Sequence, residues 1–469
     1  MRMTMWNKIL LPLCALLIMA MPARAVLVDR YLVGWKLRAF EAAWDSQPDE
    51  ARRRAAAAIL EPITFTFLSG NLSRAAQLLD LARYQLTDVP QSDRWAQGLA
   101  VRVSQNLVET KNLQVKGKLG WVYKAQGTIP SEATIQLLAN GKPLGAPFKV
   151  EGLAESNREF TVSLPEGTKP GPINLNVEVR DGARSLASGA VALWVVEDLA
   201  VKLAKLDSLA PELEKLPPSI GRSTWLLLHG RLKQAAQGKD LETEYPLGQW
   251  LEELPEAFGE LKAGKIWPHP TSPGPLWLAV PMGSSDKVVR VEGTRRDGKT
   301  PLTCVVALHG AGGSENLFCE GHGALAPKLA ARKGWLLISP LNGPTDDLVD
   351  KLSAWHPIDK SRVVTVGHSM GAANATAWAA RKPEQLRAVA ALGGGGRAGK
   401  GEAWQKLPYF VGVGDKDFAL KSAKSLADAL GKAGNPSVTL KVYPGLEHLT
   451  VVQACLPEVF AFFEQSLAK

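Results

Sequence analysis

Four cysteines in 469 residues are too few to staple a fold together, and no Cys/His spacing offers a zinc site. No metal and no cofactor is therefore expected. Lys and Arg are spread along the chain and never interleave with aromatic residues as in a nucleic-acid groove, so the net charge of +9 points to no such partner. The one tight basic run, Arg52-Arg53-Arg54, opens an alanine-rich helix and reads as a solvated face. No blade-length repeat occurs before residue 270, which excludes a propeller. Disorder is excluded by composition, with 46% hydrophobic and 22% charged residues.

What is present begins with an address. A short positive segment, Met1 to Lys8, precedes the apolar run Ile9 to Met21, which Pro12 interrupts. Ala23-Arg24-Ala25 follows as a small-x-small cleavage signal. This layout predicts a secretory signal peptide over 1–25, cut before Val26. The run is too short to span a bilayer comfortably, so no stable membrane insertion is expected after cleavage and the mature protein is secreted or periplasmic. Cleavage would leave Cys304, Cys319 and Cys455, an odd number. Cys304 lies in a buried-strand pattern; whether Cys319 and Cys455 pair stays open.

The length predicts two or three cores. Residues 26–107 place apolar residues at helical spacing over Tyr31–Trp44, Ala51–Ile59, Leu72–Leu86 and Arg94–Leu107, a small bundle with no visible chemistry. Over 110–197 the period shortens to two: Ile173, Leu175, Val177 and Val179 alternate with polar neighbours, and Asn140-Gly141 and Asp181-Gly182 are turn signals. An antiparallel, Ig-like β-sandwich is expected there, acting as a spacer. Residues 198–269 return to helix. From 270 to 469 short apolar strands alternate with helices, the pattern of a mainly parallel, doubly wound α/β sheet.

This last region carries the chemistry. Gly367-His368-Ser369-Met370-Gly371 follows the expected strand Arg362–Val366 and precedes the small-residue helix starting Ala372-Ala373. A nucleophile elbow needs that context, which makes Ser369 the candidate nucleophile. His309-Gly310-Ala311-Gly312-Gly313 follows the strand ending at Leu308 and can turn an N–H toward the substrate oxygen; Ala311 and Met370 are the candidate oxyanion donors. His309 reads as structural. The serine needs a base from beyond the last strand, and of seven histidines only His448 lies there. Glu384, Glu402, Asp415, Asp417, Asp428 and Glu447 lie between. Asp415 and Asp417 sit just past the strand Tyr409–Val413; Asp417 is favoured as the triad acid, with Asp415 in reserve.

Ile358-Asp359-Lys360-Ser361-Arg362-Val363 before the elbow, and Leu308 to Asn316 around the glycine loop, resemble the polyhydroxybutyrate-depolymerase and feruloyl-esterase-like branch of the α/β-hydrolases. The resemblance spans about 276–469 and implies the α/β-hydrolase fold and serine-esterase chemistry. The acid loop departs from it in lacking the usual proline after the aspartate. The expected activity is hydrolysis of a small-molecule or polymer ester with a short acyl or aryl group. Because the connections of this region are brief, the site is expected to be open. A serine peptidase related to the prolyl oligopeptidases is the enzymatic alternative, and a non-catalytic scaffold built on the sandwich is the other.

Overall fold

The computed structural model describes residues 28–468 except 125–127, 152, 154–156, 240, 295–297, 344–345, 398 and 400. The expected leader, 1–25, lies outside the described residues. Four helices open the chain: α1 (Arg30–Ser46), α2 (Glu50–Leu60), α3 (Ile63–Leu68) and α4 (Leu72–Leu86). Local chemistry sets their starts. The side chains of Asp29, Asp49 and Asn71 each accept a bond from a first-turn N–H, the usual role of a short polar residue at that position.

The helix expected over Arg94–Leu107 is not there. A 3₁₀ turn, Gln91–Gly98, runs into strand β1 (Leu99–Val103), followed by β2 (Leu107–Glu109). Leu99, Val101 and Val103 alternate with Ala100 and Arg102, and β1 pairs antiparallel with β3 (Gln114–Trp121) from Leu99↔Trp121 to Val103↔Gly117. Pairing with β3, which sets Val101 opposite Leu119, outweighs the helical spacing of the apolar residues over 94–107.

Then come β4 (Ala133–Ala139), β5 (Lys142–Pro143), β6 (Phe148–Lys149), β7 (Arg158–Ser163), β8 (Gly171–Asp181) and β9 (Arg184–Val196). They form two sheets, β1-β3-β7 and β2-β9-β8-β4-β5 with β6 on β4, antiparallel except for β2 on β9. Leu119, Leu137, Leu175 and Leu193 meet in the core between them. Asn140 and Gly141, both at positive φ (49° and 77°), make the tight turn that the Asn-Gly pair requires. Helices α5 (Leu199–Leu213), α6 (Ile220–Ala236) and α7 (Leu247–Lys262) follow, packed around Trp225, Trp250 and Trp277.

The C-terminal region builds one eight-stranded sheet. In chain order its strands are β10 (Leu276–Met282), β11 (Ser285–Gly293), β12 (Leu302–Leu308), β13 (Leu336–Pro340), β14 (Ile358–His368), β15 (Ala388–Leu392), β16 (Tyr409–Gly414) and β17 (Val438–Tyr443). In space they run β10-β11-β13-β12-β14-β15-β16-β17, antiparallel at the first two pairings and parallel thereafter. Helices α8 (Leu317–Glu320), α9 (Leu325–Lys333), α10 (Leu348–Leu352), α11 (Met370–Arg381), α12 (Glu402–Lys406) and α13 (Leu420–Lys432) lie in the connections, and α14 (Thr450–Leu467) follows the last strand. Every residue of β12 is buried, as strands covered on both faces must be.

The two faces of this sheet are covered differently. One packs Trp378, Trp404 and α13 residues from the C-terminal region itself. The other shares a continuous core with the opening helices: Phe40, Trp44, Ala75 and Leu79 lie in the same apolar cluster as Val305, Phe318, Val451 and Phe463. The helices of 30–86 thus form an outer layer on the C-terminal sheet. Cys304, Cys319 and Cys455 are all free and buried, so no bridge joins Cys319 to Cys455. Among the described residues no helix is long and apolar enough to cross a membrane.

Candidate active site

β14 delivers its last residue, His368, directly into a sharp turn, and Ser369 stands there with φ 57° and ψ −117°, a conformation that costs a non-glycine residue free energy. The flanking glycines are steric necessities. A methyl group on Gly367 would lie 2.1 Å from the Gly371 carbonyl oxygen, and one on Gly371 would lie 2.0 Å from that of Leu308. Met370 opens α11, so its N–H has no carbonyl four residues back. Gly310 to Ser314 border the same cavity as Ser369 and His448. His309 holds this loop from beneath: its Nδ1 bonds the Gly310 carbonyl (2.7 Å) and its Nε2 accepts from the Asn342 N–H (3.1 Å).

His448, in the connection after β17, is 4% exposed and its Nδ1 lies 2.9 Å from Asp417 Oδ1. With the carboxylate as acceptor, Nδ1 carries the proton and Nε2 is left basic. Asp417 Oδ1 also accepts from the Ala419 N–H at 2.8 Å, which fixes the carboxylate. Among the described residues no hydrogen bond joins Ser369 Oγ to the ring, and catalytic contacts of this kind often tighten only with substrate in place.

The other carboxylates go elsewhere. Asp415 is exposed and accepts from the Gly445 N–H at 2.7 Å, tying the acid loop to the histidine loop. Glu447 is buried and accepts from Leu449 and Thr450 N–H groups at the start of α14; burial raises its pKa to about 7. Glu384, Glu402 and Asp428 are on the surface.

Strand order, elbow and histidine loop define one architecture, and residues 315–452 match the dienelactone hydrolase family. The C-terminal region has the α/β-hydrolase fold. No curated protein matches the chain. Solved structures similar to the hydrolase include a ferulic acid esterase (16% identity, 41% of this chain and 97% of the other, TM-score 0.37). A feruloyl esterase module from Clostridium thermocellum in complex with sinapinate is 14% identical over 43% of this chain and 91% of its own, with TM-score 0.36. An S-formylglutathione hydrolase from Agrobacterium tumefaciens is 15% identical over 41% and 95%, with TM-score 0.35.

Three features of the hydrolase site were not visible in the motifs. His368 does more than adjoin the serine. It bonds the His448 carbonyl through Nε2 at 2.9 Å, and the two rings are 4.6 Å apart. Burial, followed by the nearby His448, holds its pKa well below the ordinary value, so it stays neutral. Phe418, next to Asp417, packs on the His448 ring at 4.2 Å. Finally, the site draws part of its lining from outside the hydrolase connections, which are as brief as expected: Val33, Leu37, Ile63, Phe65, Phe67 and Leu68 of α1 and α3 line a cavity that Ser369 also borders. No local pattern in 26–107 carries that information, because the contact is made across three hundred residues.

Proposed function

We propose that this protein is an exported serine esterase that works through Ser369, His448 and Asp417 and an acyl-enzyme intermediate. The observation that carries the reading is the buried His448–Asp417 contact at 2.9 Å beside a serine on a strained elbow. In the first step His448 Nε2 takes the Ser369 proton while Oγ attacks the ester carbonyl. The N–H groups of Ala311 and Met370 stabilise the oxyanion. Asp417 keeps the imidazole in its Nδ1–H tautomer and offsets the charge it gains. The histidine then protonates the leaving alkoxide, activates water in its turn, and the acyl group departs as acid. The substrate is an ester of a sugar or polymer whose acyl group is compact, short-chain or aryl. Export rests on the leader-like residues 1–25.

A fluorophosphonate probe should label Ser369, and Ser369→Ala should remove both labelling and nitrophenyl-ester turnover; labelling that survives the substitution rejects the nucleophile. Asp417→Asn should lower kcat by ~10⁴-fold, as loss of the triad carboxylate does elsewhere. Asp415→Asn should have far less effect, because its carboxylate only ties two loops. The reverse ranking would transfer the role to Asp415. N-terminal sequencing of exported protein should begin at Val26.

A further inference from the structure

Seven large apolar side chains are exposed among the described residues, and four of them, Phe65, Leu68, Met370 and Phe418, gather at Ser369 rather than scattering over the surface. Two of the four sit on α3, far from the hydrolase in sequence. The Phe65 ring lies 4.8 Å from that of Phe418, which in turn lies 4.2 Å from His448. An unbroken row of rings therefore leads from the catalytic imidazole onto α3. Phe67 points to the other side of the site: a methyl group on Gly312 would come within 2.7 Å of its Cε1. Ile63, 3% exposed, anchors the helix in the core shared with the sheet. The cavity these side chains border opens to solvent and has a volume of about 360 Å³, at the low end of the range for pockets that hold a complete small ligand. Arg30, Arg38, Glu242 and Glu320 also line the cavity; Arg38 and Glu320 pair with each other at 3.2 Å, and Arg30 lies over the Phe67 ring at 5.5 Å.

We propose that α3 is a working part of the catalytic site: Phe65 and Leu68 select esters whose acyl group is apolar and larger than acetyl, and Phe67 props the oxyanion loop. This deepens the serine-esterase reading and rests on it. On this proposal an acetyl group, with a single methyl to bury, gains least from that wall. A longer or wider acyl group leaves water for the Phe65 and Leu68 side chains and is held against the elbow.

The test compares kcat/KM for nitrophenyl hexanoate and nitrophenyl acetate in the full chain. The native enzyme should favour hexanoate. Phe65→Ala and Leu68→Ala should each lower the hexanoate-to-acetate ratio by about tenfold, the discrimination that an apolar contact of this size supplies, mainly through KM. Both side chains are more than half exposed, so neither substitution should unfold the protein. Phe67→Ala should instead lower kcat on both esters by a common factor, and Phe67→Tyr should restore it. Val201→Ser, which removes an exposed apolar side chain from α5 away from the cavity, should leave the ratio unchanged. An unchanged ratio in both α3 variants overturns the proposal. If turnover and fluorophosphonate labelling of Ser369 persist in those same variants, the serine-esterase reading survives its failure. Absence of labelling in the native protein would instead remove that reading and this inference together.

Discussion

Two of the regions that precede the hydrolase are used in opposite ways. The sandwich of β1–β9 keeps a core of its own around Leu119, Leu137 and Leu175. The helices α1–α4 have no such independence; their apolar faces complete the core of the catalytic sheet and reach its cavity. The difference teaches that a segment with no chemical motif can still belong to a catalytic site, and that its share is found in packing rather than in residue type.

The largest expected effect separates the two cores directly. Phe40→Ala should cost about 3–5 kcal/mol and Leu119→Ala about 2–5 kcal/mol, because both truncate fully buried side chains. Urea unfolding should register both. Only Phe40→Ala should also raise KM for apolar esters, since α1 lines the cavity. If Leu119→Ala raises KM equally, the sandwich is coupled to the site and the comparison fails.

How far the site could be read from sequence follows the same division. Ser369, its glycines, the histidine loop and the eight strands are local patterns, in which the reacting geometry dictates residue type at short spacing. The core strands were legible because two-sided burial leaves a continuous apolar run. The helix expected over 94–107 failed where sheet pairing overrode spacing, and the part of α3 in the cavity was invisible because Phe65 and Leu68 look like ordinary helix residues until β16 and β17 bring Phe418 and His448 close.

A pH titration sharpens the contrast next. Glu41 of α1 and His322 of the hydrolase are both buried, with Oε1 and Nδ1 3.7 Å apart. Burial raises the Glu41 pKa to about 7 and lowers that of His322 to about 4. The stability that protonated Glu41 contributes is complete below about 4.5 and is lost as the pH rises to 7. That from neutral His322 is complete above about 6.5 and is lost as the pH falls to 4. Each is at most ~3 kcal/mol, and between pH 4.5 and 6.5 they offset one another. Glu41→Gln should therefore make stability climb more steeply with pH across that window, and His322→Gln should make it decline. Urea midpoints at pH 4.5, 5.5 and 6.5 decide it; parallel curves for both variants and the native protein would show that the pair does not couple helix to sheet.

The smallest effect belongs to the sandwich. Gly141 holds φ 77° at the tip of its hairpin with open space around it. Gly141→Ala should cost about 1–2 kcal/mol through the left-handed backbone alone. Ester turnover should not change, and a change would again tie the sandwich to the site.

Gln453 of α14 donates to the Glu41 carbonyl across 412 residues of chain. That bond sets an order of events on the ribosome. The apolar face of α1 must wait uncovered until α14 has been made, whereas the sandwich can finish as soon as β9 is out. The substrate pocket thus depends on segments far apart in the chain, α1 and α3 on one side and the loop that carries His448 on the other.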